Sequence, residues 1–157
     1  MSRVHTYEKA FLTLGAILLF VCLVVLTYSS TMMGIHLPDD EGTTIDPTKV
    51  LSTPPFDNVG VHEVGDNEYD VVFVGQVWLF RPNEITVPVG AKLNFIGTSA
   101  DVLHGFNIEG TRVNMMLIPG QISKNTYTFD EPGEHLILCH EYCGVGHHTM
   151  FGRINVE

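Results

Sequence analysis

The chain has 157 residues, room for one domain plus an appendage, with 18 Asp and Glu against 8 Lys and Arg and a formal charge of −10. That balance excludes nucleic acid as a partner, because binding phosphates needs clustered Lys and Arg. It suits solubility and basic partners, and a halophile's surface has the same look.

Arg3 and Lys9 precede a stretch, from Ala10 to Pro38, that holds no Asp, Glu, Lys or Arg. Residues 10–34, AFLTLGAILLFVCLVVLTYSSTMMG, meet the roughly 20 apolar residues needed to cross hydrocarbon. A cleaved signal peptide has a shorter apolar region of about 7–15 residues and a small-residue cleavage site, and no A-x-A pattern follows here. The reading is an uncleaved transmembrane anchor at 10–34 behind a cytoplasmic N-terminus at 1–9. Asp39, Asp40 and Glu41 follow the span, so the positive-inside bias puts the N-terminus in the cytoplasm and everything after Pro38 outside. Glu8 weakens that asymmetry only slightly. Cys22, mid-span with no lipobox before it, reads as a small apolar residue. Beyond the span the acidity grows: residues 39–157 hold 17 acidic against 6 basic residues, a balance of −11.

Residues 35–68 are rich in Pro, Gly, Asp and Thr with little periodicity, and are expected to form a linker that partly packs on the domain behind it. From Tyr69 to Glu157 the pattern becomes short β-runs separated by turn residues. Asp70–Phe80 reads as one strand, ended by Arg81-Pro82-Asn83. Glu84–Val87, Lys92–Thr98, Gly105–Ile108, Asn125–Phe129, Glu134–Leu138 and Met150–Val156 follow. No convincing helical period appears after Pro38. Strands and turns at this spacing predict an all-β sandwich or barrel of roughly 90 residues, large enough to hold a core without disulfides.

Between the last two strands lies CHEYCGVGHHTM, Cys139 to Met150, holding two of the three cysteines, three histidines and a methionine. Its ligand-type residues are Cys139, Cys143, His147 and Met150, with His140 and His148 as spares. A disulfide is allowed in an exported domain, but it leaves His147 and Met150 without a purpose. Structural zinc would use the C-x₃-C pair and His147, yet the second ligand pair is missing and Met is not a zinc ligand. A blue-copper centre uses one thiolate, two imidazoles and a weak thioether, and here there are two thiolates. Two cysteines bridging two coppers would use both, and would then require one more imidazole from elsewhere. His104, in SADVLHGFNI, is suited to that vacancy, whereas His5, His36, His62 and His135 read as surface or satisfied residues.

C-x₃-C-x₃-H-x₂-M downstream of D-x-x-H-G-F resembles the CuA domain of subunit II of heme-copper terminal oxidases. The resemblance runs from about Val72 to Glu157 and includes PNEITVPVGAKLNF, LIPGQ and YTFDEPGEHLILC. The single anchor and EYCGVGHHTMFG are most similar to the B-family oxidases. The resemblance implies a cupredoxin-like Greek-key fold and a binuclear copper cofactor. By it, Cys139 and Cys143 bridge the coppers, His104 and His147 each ligate one, and Met150 and the carbonyl of Glu141 are weak ligands. Asp101 resembles a residue that orients His104. No position is left open for a substrate, so the chain would move electrons without catalysing a reaction alone. The implied partners are a heme-containing subunit I, a cytochrome c or similar donor, and the lipid bilayer of the cell membrane. Trp78, Phe106, Tyr142 and Phe151 are candidates for aromatic contact near copper, although Trp78 reads first as a core aromatic of its strand. A membrane-anchored copper chaperone and the copper subunit of a nitric-oxide reductase are the competing functions. Nitrous-oxide reductase needs a large further domain that this length does not contain.

Overall fold

The computed structural model describes residues 2–32 and 44–157, so His36, Asp39, Asp40 and Glu41 lie outside the described residues. Two compact units emerge, one up to Asp39 and one from Asp40 onward. The first is a single helix, α1 (Ser2–Met32), which holds no Asp, Glu, Lys or Arg from Ala10 onward. A helix of 31 residues is about 46 Å long, more than the hydrocarbon thickness of about 30 Å. Its described side chains are largely exposed, and from His5 to Met32 it is long and apolar enough to cross a membrane. Within it, Thr27 and Thr31 donate their hydroxyls to the carbonyls of Leu23 and Thr27 at 2.8 and 2.9 Å, so neither presents a free polar group to an apolar solvent.

The second unit is a sandwich of two sheets. The first sheet holds β1 (Gly60–Gly65), β2 (Glu68–Gln76), β5 (Lys92–Ser99) and β8 (Ser123–Thr128) in that order, with β3 (Leu79–Arg81) paired on β2. The second runs β4 (Glu84–Val87), β10 (Phe151–Val156), β9 (Gly133–Leu138), β6 (His104–Ile108), β7 (Asn114–Leu117). Two pairings are parallel, β2 with β5 and β10 with β4, and the remainder are antiparallel. The core between the sheets is aromatic and aliphatic. Phe106 stacks on Phe73 at 4.0 Å between centroids and meets the edge of Phe80 at 5.4 Å. Phe106 is therefore a core residue, 1% exposed, and of the aromatics expected to make contact near copper it is the one whose ring is taken up by the core.

The run Asp70–Phe80 is two strands rather than one, turning at Val77-Trp78. Its continuous apolar character hid the turn for a physical reason. Val71 to Gly75 are all buried, because β2 is covered on both faces, and the bend itself uses no Pro, Gly or Asn. Trp78 sits in that bend and is 40% exposed, so it is not a core aromatic.

The second covering of β2 comes from the stretch read as linker. β1 falls within it, and upstream of β1 the residues Val50 and Phe56 are buried against Val72 and Val74, with Ile45, Val59, Ile96, Ala100 and Ile122 around them. A short 3₁₀ turn at Val50–Ser52 carries the first of these. The segment is tied at its beginning: Ile45 donates its amide to the carbonyl of Gly120 at 3.1 Å, and Thr44 forms a bridge with Gln121. Residues 44–59 thus form a strap over the outer face of the first sheet.

Candidate metal centre

The segment Cys139–Met150 leaves one strand and returns to its antiparallel neighbour. Leu138 and Phe151 face each other across β9 and β10, and Cys139 donates its amide to the carbonyl of Met150 at 3.2 Å, closing the loop at its neck. Between them a 3₁₀ turn, His147–Thr149, tightens the chain so that His147 and Met150 point back toward the cysteines. Gly144 makes the reversal at φ +118°, a value open to glycine and rarely to other residues.

The thiols of Cys139 and Cys143 are free and 3.8 Å apart, well beyond the roughly 2.05 Å of a disulfide. His104, contributed by the start of β6, brings its Nδ1 to 4.0 Å from Cys139 Sγ. His147 Nδ1 lies 3.6 Å from Cys143 Sγ, and Met150 Sδ lies 3.7 Å from the same sulfur. The carbonyl of Glu141 is 3.3 Å from Cys139 Sγ. All six sequence-predicted site residues therefore come together at one end of the sandwich. His104, Cys139 and Cys143 form the tightest group, their ligand atoms all within 4.8 Å of one another.

These separations test whether the residues suit a metal. Donors at about 2.0 Å (nitrogen) and about 2.3 Å (sulfur) from one tetrahedral ion lie roughly 3.5–3.8 Å apart. The S–S, S–N and S–S(Met) spacings of 3.8, 3.6 and 3.7 Å match that interval, and the 4.0 Å to His104 needs only a wider angle. The donors are soft thiolates and imidazoles, the set that favours copper over hard cations. They are also dry: Cys139, Cys143 and Met150 are 9, 5 and 3% exposed, and His104 is fully buried. Without a metal, burial first, and then the hydrogen bond and charge of Cys139, push the Cys143 thiol up to about 11. A metal entering here therefore displaces a proton from that sulfur.

Asp101 supports the buried imidazole. Its Oδ1 accepts from His104 Nε2 at 2.8 Å and from the Val102 amide at 2.6 Å, while its Oδ2 accepts from the Val77 amide at 2.8 Å. Burial raises its carboxyl as the largest single influence. The hydrogen bonds from His104, Val77 and Val102 together outweigh it, and the carboxyl titrates below the usual aspartate value. With Nε2 so engaged, Nδ1 is left to face the sulfurs.

The spare histidines have other places. His140 packs against Gly105, where an added Cβ would come within 2.6 Å of its ring, and its Nδ1 lies 3.7 Å from Glu141 Oε1. His148 borders a shallow groove with Leu138, Phe151 and Arg153. His62 and His135 lie in β1 and β9 and bond the carbonyls of Asn58 and Glu109 at 2.7 and 3.2 Å. Two contacts escaped sequence reasoning, the Val77 amide on Asp101 and the Trp78 indole on the carbonyl of Cys143 at 3.2 Å. Nothing in sequence spacing signals a side chain reaching a backbone atom 65 residues away.

An apolar helix is followed by a two-sheet sandwich with a His/Cys/Cys cluster, able to hold a metal ion, at one end. The family model for "Cytochrome C oxidase subunit II, periplasmic domain" matches residues 65–156. Cytochrome c oxidase subunit 2 of Thermus thermophilus is 39% identical over 99% of this chain and 95% of its own length. Heme-copper oxidase subunit 2 of Aeropyrum pernix is 34% identical over 72% of this chain and 51% of its own. Among solved structures, a chain of a heme-copper terminal oxidase dimer superposes with a TM-score of 0.79 at 35% identity, covering 96% of this chain and 99% of that one. The periplasmic domain of subunit II from Bradyrhizobium japonicum shares the fold, with a TM-score of 0.53 at 24% identity over 56% of this chain and 83% of that one. The chain belongs to the cytochrome c oxidase subunit II family. It is subunit II of a heme-copper oxidase, a component of an oxidoreductase complex, with a periplasmic domain and a partner in subunit I.

Proposed function

We propose that the loop of Cys139–Met150 together with His104 holds a binuclear copper centre, and that the chain carries electrons from a cytochrome c or similar donor to heme in subunit I. The observation that carries this reading is a pair of free thiols 3.8 Å apart, each with one imidazole Nδ1 at 3.6 or 4.0 Å. One sulfur pair flanked by two imidazoles is the donor count for two ions sharing bridges, and it exceeds what a single blue-copper ion uses. A bound copper pair supplies one-electron redox chemistry with little change in ligand geometry.

The chain's own residues do the remainder. Cys139, Cys143, His104 and His147 would hold the copper through their sulfur and Nδ1 atoms, and Met150 and the Glu141 carbonyl would add weaker donors. Asp101 fixes the ring of His104, and the buried cysteines exclude water. His147 is half-buried beside the exposed ring of Tyr142, their centroids 5.9 Å apart, so the outer side of the centre is close to solvent. A donor with a basic face suits the −11 balance of residues 39–157 through charge steering.

The anchor at 10–34 spans the lipid bilayer with its N-terminus in the cytoplasm, supported by Arg3 and Lys9 before it and acidic residues after it. Residues 69–157 are proposed as the body of the copper domain, and part of the stretch 35–68 read as linker joins it, residues 44–59 as a strap and β1 as a strand of the first sheet. The single anchor and EYCGVGHHTMFG favour the B family of oxidases.

Copper stoichiometry and electron paramagnetic resonance on the purified chain test the centre. Two coppers per chain sharing one unpaired electron are expected, and Cys143→Ser should abolish that shared signal. One copper per chain with a one-nucleus spectrum, or a spectrum indifferent to Cys143→Ser, refutes the reading.

A further inference from the structure

The bend at Val77-Trp78 touches both arms of the cluster and contributes no ligand to it. On one side the Val77 amide donates to Asp101 Oδ2 at 2.8 Å, and the other oxygen of that carboxylate holds His104. On the other side the Trp78 indole Nε1–H donates to the carbonyl of Cys143 at 3.2 Å. The ring itself lies against the backbone that spaces Cys143 from His147. A Cβ on Gly144 would stand 3.1 Å from Nε1, and a Cβ on Gly146 would overlap the indole at Cδ2 and Cγ. Only glycine admits so close an approach at these two positions. The strand pairing below makes the bend rigid: Gly75 faces Phe80 and Gln76 faces Leu79, and the carbonyl of Gly75 accepts from the Ala100 amide at 3.0 Å, one residue from Asp101.

We propose that the Val77-Trp78 bend is a positioning clamp for the metal centre. Through Asp101 it sets the ring of His104, and through the indole it sets the distance between Cys143 and His147. The clamp belongs to the first sheet, whereas every ligand it positions lies in or beside strands of the second. It therefore ties the metal loop to the opposite layer of the sandwich. That is a way of keeping ligand positions fixed whether or not the ion is present, which lowers the rearrangement accompanying electron transfer. The inference rests on the copper reading only for its second readout below.

The test uses the full chain in detergent with three variants. Trp78→Phe keeps a ring against the glycines and loses the N–H donor. Trp78→Ala loses both. Gly146→Ala leaves Trp78 intact and pushes the indole off the loop. The first readout needs no metal: the rate at which a neutral alkylating agent modifies Cys143 in the apo chain, followed peptide by peptide to separate it from Cys139 and Cys22. Trp78→Ala and Gly146→Ala should each raise that rate on the order of tenfold, with Trp78→Phe between them and the parent. Adding Gly146→Ala to Trp78→Ala should change nothing further, because the clash partner is gone. The second readout is release of copper to a chelator and the resonance spectrum of the loaded chain, with the same ordering. An additive effect of the two substitutions, or Trp78→Phe and Gly146→Ala both matching the parent in thiol reactivity and copper release, overturns the clamp. A parent chain that fails to bind two coppers while its variants still expose Cys143 refutes the copper reading and leaves the clamp standing.

Discussion

Replacing Asp101 by Asn isolates the support beneath His104, because the two side chains have nearly the same shape. The carboxylate accepts short hydrogen bonds from His104 Nε2, the Val102 amide and the Val77 amide, at 2.8, 2.6 and 2.8 Å, and a long one from the Ser99 hydroxyl at 3.5 Å. The Val77 amide is on Oδ2 and the others are on Oδ1. An amide offers one acceptor oxygen and one NH₂ donor, so whichever way it is turned, at least one N–H is left facing a donor. The Val77 and Val102 amides are exposed, so the cost falls on the fully buried His104, whose hydrogen bond to a charged acceptor is worth about 1.5–3 kcal/mol and is lost or made neutral. The expected loss is therefore about 2 kcal/mol, roughly thirtyfold in the folded-to-unfolded ratio. Urea unfolding of the apo chain in detergent, followed by the change in tryptophan emission, measures it directly. On the loaded chain, the hyperfine pattern from the His104 nitrogen should shift while that from His147 stays. A stability change under about 0.5 kcal/mol together with an unmoved His104 pattern would refute the view that Asp101 orients that ring.

Two further outcomes follow from the same structure. Phe56→Ala, at a strap residue only 1% exposed, should cost about 3–5 kcal/mol by cavity formation, and calorimetry showing less than about 1 kcal/mol would mean the strap is not part of the cooperative unit. The Glu68 carboxyl, held below the usual glutamate value first by its hydrogen bond from Lys92 and then by Asn94, contributes stability that is present above pH 4.5 and lost as pH falls through its lowered value. Lys92→Ala should move that titration up toward 4.5 in a carboxyl-resolved NMR experiment, and an unmoved titration would show that the pair is too well screened to matter.

How far the sequence reached depended on where its information was stored. The metal loop was legible because five of its features sit within twelve residues, and counting donors exposed a vacancy that His104 filled. The apolar helix was legible from uninterrupted hydrophobicity, and β4 from strict alternation, Ile85 and Val87 inward against Glu84 and Thr86 outward. The bend at Val77-Trp78 was not, because a strand buried on both faces shows no alternation and the bend lacks the usual turn residues. The strap was only partly legible. Val50 and Phe56 are isolated apolar residues among Pro, Asp and Thr, and their partners Val72 and Val74 lie beyond any local window. Trp78 gave the wrong impression for the same reason as the bend: inside an apolar run, an aromatic looks like core.

The parallel seam between β4 and β10 has a consequence for the order in which the protein comes into being. Arg153 stands opposite Glu84 and Val156 opposite Val87, so the second sheet closes only when the end of the chain finds a strand made much earlier. Glu157 completes the seam with its amide on Val87 and its carbonyl on the amide of Val89, both at 3.0 Å. His147 and Met150 reach the cysteines within the local β9–β10 hairpin, whereas His104 comes from β6 and joins them only through a long-range pairing that closes more slowly. A nascent or partly folded chain has its thiols before it has its binding site. A chain interrupted ahead of β10 would therefore carry Cys139 and Cys143 without the hairpin neck that brings His147 and Met150 to them.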